Sequence, residues 1–168
     1  MSIVCKRVEF VVSDLAGTEA IGHRLAEVLF GGAVVALIGP LGAGKTQLVR
    51  AIAEALDISD ARVVSSPTFV LIQEYSARLP IYHFDAYRLT NSDQFVDLGA
   101  HEYFQGKGVC LVEWADRVED VLPKDHLRIK LQITGDTSRR IVLEGRGAQY
   151  ERLVDFVSSQ QRGPASRR

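Results

Sequence analysis

The feature that most constrains this chain is a glycine-rich segment, Gly39-Pro-Leu-Gly-Ala-Gly-Lys-Thr46, which follows the pattern G-x-x-x-x-G-K-[ST]. An uninterrupted apolar run from Ala33 to Ile38 precedes it and is typical of a buried parallel strand. The residues after it, Thr46 to Leu56, place apolar side chains at helical spacing. Strand, loop and helix in this order form the context in which such a loop binds phosphate. The sequence therefore predicts a phosphate-binding loop in an α/β fold, with a nucleoside triphosphate as ligand.

Each part of this loop has an expected role. The glycines allow successive backbone N–H groups to point inward around a phosphate, where the helix N-terminus adds the positive end of its dipole. Lys45 is expected along the β- and γ-phosphates, and the Thr46 hydroxyl is expected to bind Mg²⁺. The loop residues expected to contact the nucleotide are Gly39, Leu41, Gly42, Ala43, Gly44, Lys45, Thr46 and Gln47. The chain contains no Asn-Lys-x-Asp element to read guanine, which favours ATP over GTP.

Two acidic residues are positioned to complete a metal site. Glu113 directly follows the apolar run Val109–Val112, and Asp85 ends the run Ile81–Phe84 in the same way. Open α/β sheets place ligand-binding residues at the carboxyl ends of their strands, and Mg²⁺ beside a phosphate loop needs such a carboxylate. We expect Glu113 and Asp85 to be metal ligands and catalytic residues. The alternative is that each is a surface acid at a strand end.

The segment Ser65-Ser-Pro-Thr-Phe69 is a second signal after the phosphate loop. Pro67 restricts Ser66 to an extended conformation, and Thr68 offers a hydroxyl. Switch segments of nucleotide hydrolases place a threonine where the γ-phosphate and Mg²⁺ can order it, so Thr68 joins the predicted catalytic set. A plain connection into a strand explains the same residues equally well.

Other residues near the predicted site have two interpretations each. Trp114 follows Glu113 and is either a packing residue or a partly exposed ring beside the nucleotide. Arg88 is either an arginine finger or half of a salt bridge at a strand end. His83 alternates with Asp85 along one strand face, although a core or surface histidine is the commoner role. The residues predicted to contact the adenine are Leu15, Thr18, Ser138 and Arg139.

The rest of the chain predicts a three-layer α/β fold of the phosphate-loop NTPase type, with a mixed central sheet and helices on both faces. Residues 1–158 are expected to form a single domain and residues 159–168 a disordered C-terminal tail. Thr18 is predicted to cap the first helix, and a short link predicts antiparallel pairing between strands at Val63–Tyr75 and Ile81–Arg88. The remaining predictions are a strand at Lys6–Val12, a helix from Asn91 to about Phe104 broken near Gly99, a hairpin of Leu127–Ile133 with Arg140–Leu143, and a helix at Gln149–Val157.

Charge and composition exclude several classes of protein. The formal net charge is −1 and the basic residues are dispersed, whereas a domain that binds nucleic acid alone usually carries a basic stripe. The chain has only 2 cysteines and no C-x-x-C pair, which is typical of a reducing compartment. No apolar run approaches the about 20 residues needed to cross a bilayer. We therefore expect a cytoplasmic protein with no membrane partner.

Five elements together resemble the TsaE family (also called YjeE), small bacterial ATPases needed to make threonylcarbamoyladenosine in tRNA. These elements are Gly39–Thr46, Ser66-Pro-Thr-Phe69, His83-Phe-Asp-Ala-Tyr-Arg88, Leu98-Gly99 and Leu111-Val-Glu-Trp114. The resemblance implies ATP and Mg²⁺ as cofactors, with Lys45 and Thr46 on the phosphates and metal, and Glu113 as a metal ligand. It also places Thr68 and Asp85 in the same site.

The resemblance further implies protein partners, TsaB and TsaD, with the assembled complex rather than this chain contacting tRNA. Two departures from the family pattern matter for the site: Pro40 stands where aspartate is frequent, and Gln47 where a second hydroxyl residue is common. Neither departure removes a phosphate or metal ligand. The leading prediction is an ATPase subunit that is slow alone and stimulated by its partners. A small-molecule kinase and a nucleotide-gated binding module with negligible hydrolysis are the alternatives.

Overall fold

A computed structural model describes residues 5–161, which form strands and helices in mixed order. The strands are β1 (Cys5–Val12), β2 (Val34–Ile38), β3 (Ile72–Tyr75), β4 (Ile81–Asp85), β5 (Val109–Glu113), β6 (His126–Ile133) and β7 (Arg139–Arg146). The helices are α1 (Leu15–Val28), α2 (Lys45–Ala55), α3 (Ser92–Asp97), α4 (Ala100–Phe104) and α5 (Ala148–Ser159). Short 3₁₀ helices lie at Ala61–Val63 and Ala115–Val121.

The strands pair into a 7-stranded sheet in the order β1-β7-β6-β2-β5-β4-β3. β2 pairs in parallel with both β5 and β6, and β4 pairs in parallel with β5. The outer pairs β1/β7, β6/β7 and β3/β4 are antiparallel. The predicted mixed sheet is confirmed, and the carboxyl ends of β2, β5 and β4 meet at one edge.

Helices cover both faces of this sheet because β2 is apolar along its whole length. Val35 and Leu37 pack in a core with residues of α1, α2 and α5, whereas Val34 and Ala36 pack on the opposite face. The second face is covered by α3 and α4 and by the 3₁₀ helix after β5. A strand that is buried on both faces has a continuous run of apolar residues, and this run is why β2 was predicted correctly from the sequence.

The predicted strand from Val63 to Tyr75 is wrong over most of its length. Only its last residues form β3, while the chain before Ile72 is a 3₁₀ helix followed by a loop. Within this loop Leu71 adopts a left-handed conformation with φ 69°, and Pro67 has no N–H to give to a ladder. The antiparallel pairing of β3 with β4 is confirmed, although β4 ends at Asp85 rather than Arg88.

The start of α1 also differs from the prediction. Asp14, not Thr18, caps the helix, because its carboxylate accepts a hydrogen bond from the Gly17 N–H at 3.0 Å. Thr18 lies inside α1 and is buried. The predicted break at Gly99 is confirmed, since this residue has φ 82° and separates α3 from α4.

The C-terminal helix α5 includes Ser159, the first residue of the predicted tail. Residues 162–168 of that tail lie outside the described residues. Across residues 5–161, no helix combines the length and the apolar character that spanning a membrane requires.

Candidate nucleotide-binding site

The glycine-rich loop between β2 and α2 has the backbone conformation that a phosphate cradle requires. Gly42 has φ 78° and Gly44 has φ 102°, both in the left-handed region where residues with a β-carbon are strained. Gly44 is also the N-cap residue of α2, so the loop delivers its amides to the positive end of that helix dipole. The loop is therefore shaped to bind an anion through its backbone.

Lys45 is held over this loop by two backbone carbonyls. Its ammonium donates to the oxygen of Gly39 at 2.6 Å and to that of Pro40 at 2.9 Å. The side chain is buried, which lowers the pKa of Lys45, while the charges of Glu113 and Asp85 act in the opposite direction. An ammonium has three N–H donors, so one remains for a ligand after these two bonds.

Glu113 is hydrogen-bonded both to the phosphate loop and to a neighbouring strand. Its Oε1 atom accepts a hydrogen bond from the Thr46 hydroxyl at 2.8 Å. The same oxygen lies 2.8 Å from Nε2 of His83, which is fully buried. The register of the sheet explains this meeting, because Glu113 pairs with Leu37 at the end of β2 and with Asp85 at the end of β4.

Asp85 holds the loop that precedes β3. Its Oδ2 atom accepts hydrogen bonds from the hydroxyls of Ser66 and Thr68, the latter at 2.9 Å. Its Oδ1 atom accepts from the backbone N–H of Tyr87 at 2.8 Å. The predicted catalytic residues Thr68 and Asp85 are thus in direct contact, and both oxygens of Asp85 have partners within the protein.

A cavity of about 480 Å³ lies between these groups. It is lined by Leu41, Gly42, Gly44, Lys45, Thr46, Gln47, Ser66, Thr68, Asp85, Tyr87, Glu113 and Trp114. The cavity gathers Lys45 and the hydroxyl and carboxylate groups predicted for catalysis and metal binding. Gly39 and Ala43 belong to the same loop, but they face Lys45 and the neighbouring hairpin through their carbonyl oxygens.

A smaller cavity of about 230 Å³ adjoins the other side of the loop and shares Gly42, Gly44 and Gln47 with the first. Three of the residues predicted to contact adenine, Leu15, Thr18 and Arg139, line this second cavity. Ser138 does not line it, because its hydroxyl faces the hairpin and accepts from Thr134 at 3.0 Å. The prediction for Ser138 is therefore not supported by its position.

Arg139 supports the phosphate loop from the β6–β7 hairpin. Its guanidinium donates to the carbonyl oxygens of Ala43 and Gly42, each at 3.2 Å. Further bonds to the oxygens of Gly135 and Ser138 anchor the side chain in its own hairpin. Arg139 therefore fixes two peptide groups of the loop.

Arg88 is exposed and lies outside the main cavity. Its guanidinium carbon is 5.1 Å from the centroid of the Phe69 ring, and no ion pair to Arg88 occurs among residues 5–161. The salt-bridge interpretation is therefore not supported among the described residues, and the arginine-finger interpretation stays a prediction. Lys45 is the only cationic side chain among the lining residues of the main cavity in the described part of the chain.

The donor set suits Mg²⁺ bound together with phosphates. Thr46 and Glu113 offer hard oxygen ligands at the edge of the cavity, and Mg²⁺ in such sites uses one or two carboxylates plus substrate phosphates. No cluster of three or more His, Cys, Asp or Glu able to hold a metal alone was found among the described residues. A metal held partly by nucleotide phosphates is consistent with that finding.

His83 is the residue whose contact the sequence analysis missed. Its alternation with Asp85 on one strand face was visible, but its contact with Glu113 depends on the pairing of β4 with β5. Only that pairing brings together two residues separated by 30 positions in the chain.

Trp114 is expected to report nucleotide binding through its fluorescence. It has a left-handed backbone with φ 57°, its ring lines the main cavity, and the Lys45 ammonium lies 4.1 Å from the ring centroid. Because the chain has 1 tryptophan, the emission comes from this ring alone. Adding ATP or ADP with Mg²⁺ should change its intensity or wavelength. Free tryptophan amide titrated in parallel corrects for adenine absorbance, and an unchanged spectrum at concentrations where calorimetry shows binding would contradict the prediction.

The family model, the related sequences and the solved structure that match this chain all point to the same family. A family model described as "Threonylcarbamoyl adenosine biosynthesis protein TsaE" matches residues 12–141. A relative from Bacillus subtilis (strain 168), named tRNA threonylcarbamoyladenosine biosynthesis protein TsaE, is 45% identical over 84% of this chain and 87% of its own. A relative of the same name from Treponema pallidum is 41% identical over 73% of this chain and 89% of its own. The crystal structure of Bacillus subtilis YdiB superposes with a TM-score of 0.82 at 37% identity, covering 95% of this chain and 99% of that one.

Proposed function

This chain belongs to the TsaE family, and we propose that it acts in threonylcarbamoyladenosine synthesis on tRNA as the subunit that binds and hydrolyses ATP. The observation that carries the proposal is the meeting of Lys45, Thr46 and Glu113 at one cavity, where β2 and β5 end. The same arrangement favours a nucleoside triphosphate with Mg²⁺ as the ligands, and the absence of an Asn-Lys-x-Asp element favours ATP. The family membership favours tRNA modification over the small-molecule kinase alternative.

Each group in the site has a role in this proposal. The loop amides and Lys45 bind the phosphates, and the adjoining smaller cavity receives the nucleoside. Bound Mg²⁺ would neutralise charge on the β- and γ-phosphates. Glu113 accepts a hydrogen bond from the Thr46 hydroxyl, which would leave the lone pairs of the Thr46 oxygen for the metal. Phosphoryl transfer depends mainly on such positioning and charge stabilisation.

The segment around Thr68 is proposed to sense the nucleotide. Its hydroxyls from Ser66 and Thr68 are bound to Asp85, which lines the cavity beside Glu113. A phosphate or metal that competes for Asp85 would change these bonds and move the segment. Phe69 and Val70 are highly exposed on this segment, so its movement would alter an apolar surface.

We propose TsaB and TsaD as the protein partners, with tRNA contacted through the complex. A net charge of −1 gives this chain little attraction for a polyanion by itself. Lys45 is the only cation lining the main cavity within residues 5–161, so a partner that supplies a second cation would complete the site. A kinase would require more cations over the transferred phosphate than this lining offers.

The function is tested by depleting this protein from its own cells and measuring modified nucleosides of tRNA by mass spectrometry. Threonylcarbamoyladenosine is expected to fall while other modified nucleosides stay constant. Re-expression of the native chain should restore it, Glu113→Ala should not, and the exposed-site control Glu102→Ala should restore it. Unchanged threonylcarbamoyladenosine after depletion would contradict the proposed function.

A further inference from the structure

His83 lies behind Glu113 in the protein interior and has 0% exposure. It is on β4, two positions before Asp85, and its ring reaches across to the neighbouring strand β5. The Nε2 atom is 2.8 Å from Oε1 of Glu113, the oxygen that also accepts the Thr46 hydroxyl. One carboxylate oxygen is therefore within hydrogen-bond distance of two side chains, one from the phosphate loop and one from β4.

The contact indicates which nitrogen of the His83 ring is the hydrogen-bond donor. Because an ionised carboxylate only accepts hydrogen bonds, the N–H is at Nε2 of His83 and donates a hydrogen bond to Oε1 of Glu113. The other ring nitrogen, Nδ1, is buried and has no partner among the described residues. Burying an unpaired polar atom is unfavourable, and an apolar side chain of similar size would avoid it. Packing alone therefore does not account for a histidine here.

The hydrogen bonds from Thr46 and His83 both go to Oε1, so the second carboxylate oxygen of Glu113 remains available to a ligand. Oε1 is held by Thr46 and His83, whereas Oε2 accepts no hydrogen bond from residues 5–161. Glu113 lines the main cavity, so Oε2 is the atom available to a metal ion or to its water. Donors behind a ligating carboxylate fix its orientation and commonly decide metal affinity.

We propose that His83 is a positioning residue that orients the Glu113 carboxylate for Mg²⁺ when nucleotide is bound. This inference rests on the proposed function, because it assumes that Glu113 serves a metal–nucleotide complex. His83 itself does not touch the ligand. It acts through Glu113, because its hydrogen bond keeps Oε1 bonded within the protein and leaves Oε2 free to face the cavity.

The test compares two replacements of His83 with one control. His83→Leu removes the donor while keeping a similar volume, and His83→Gln keeps an N–H donor near the position of Nε2. His126→Leu is the matched control, because this histidine is also buried but bonds to the Pro123 carbonyl rather than to the site. ADP affinity is measured by calorimetry with Mg²⁺ and again with EDTA, so that the ratio isolates the contribution of the metal.

In His83→Leu, the ratio of ADP affinity with Mg²⁺ to ADP affinity with EDTA is expected to fall by about 10- to 100-fold. The ADP affinity measured in EDTA should be unchanged. His83→Gln should recover most of that gain, and His126→Leu should retain all of it. Equal losses in both His83 variants, or an intact Mg²⁺ effect in a folded His83→Leu protein, would overturn the inference. A native protein whose ADP affinity did not depend on Mg²⁺ would overturn the proposed function as well.

A second measurement needs neither metal nor nucleotide. Nitrogen-15 spectra of the histidine rings should show His83 as the Nε2–H tautomer, with an Nε2 resonance that shifts in Glu113→Gln. The His126 ring should be unaffected by this replacement. This readout holds even where His83→Leu fails to fold, and a His83 signal that does not respond to Glu113→Gln would overturn the inference.

Discussion

Replacing Lys45 with alanine is expected to weaken ATP binding by about 10- to 100-fold, since losing one hydrogen bond to a charged group costs about 1.5–3 kcal/mol. Hydrolysis should fall below detection, because Lys45 is the only cation that lines the main cavity among the described residues. Its removal also frees the carbonyls of Gly39 and Pro40, which now accept its hydrogen bonds. The phosphate loop would lose both the positive charge of Lys45 and the two hydrogen bonds that hold its carbonyls.

The measurement is ATP affinity by calorimetry together with steady-state phosphate release. Lys130→Ala provides a matched control, since this lysine is exposed on β6 and lies outside both cavities that adjoin the phosphate loop. It should bind and hydrolyse ATP like the native protein. Native affinity and turnover in Lys45→Ala would show that the loop does not bind phosphate.

The second large effect is stimulation of ATP hydrolysis by the proposed partners. The chain alone is expected to turn over slowly, and the TsaB–TsaD pair should raise its rate by about 10³-fold or more if a cation is supplied in trans. The physical reason is charge. Lys45 would face the phosphates without a second cationic side chain in the described lining, whereas the transition state spreads charge over several oxygens.

Steady-state hydrolysis is measured with and without the TsaB–TsaD pair, at fixed Mg²⁺ and ATP. Mixing the same pair with the Lys45→Ala chain measures any contaminating ATPase in the partner preparation. Fast turnover by the isolated chain, unchanged when the partners are added, would contradict this prediction. It would instead indicate an enzyme that is complete by itself.

The sequence predicted the phosphate-loop half of the fold because its signals are local. An apolar run, glycines at fixed spacing and helical periodicity are contiguous, and they became β2, the loop and α2. The antiparallel pair and the hairpin followed from the shortness of their links. These predictions needed no knowledge of distant contacts.

The strand prediction that failed depended on contacts between distant residues. The stretch before Ile72 is rich in residues that favour strands, but the hydroxyls of Ser66 and Thr68 bond to Asp85 and hold it as a loop. The buried position of His83 agrees with the core role expected for it, but its contact with Glu113 was not predicted, since it is visible only once the strands are paired. Propensity gives no information about such side-chain partners.

The predicted cap of α1 failed for a local reason. Asp14 and Thr18 are both acceptable cap residues, and the turn after β1 placed the aspartate first. Ser138 and Arg139 were predicted together as adenine contacts, but neighbouring residues of a hairpin face different sides. Arg139 reaches the loop while Ser138 bonds within the hairpin.

The two carboxylates of the site have similar supports, but they hold parts of the protein that differ in stability against local opening. Glu113 and Asp85 both end strands that are paired on both sides, and Asp85 also restrains a surface loop through side-chain hydroxyls. Amide protons of β2 and β5 are therefore expected to stay protected until most of the domain unfolds, while those near Thr68 are expected to exchange through small openings. The loop can thus release and re-form its contacts many times while the cradle keeps its shape. A fast response to nucleotide would then come from the loop around Thr68, and accurate phosphate binding from the glycine-rich loop.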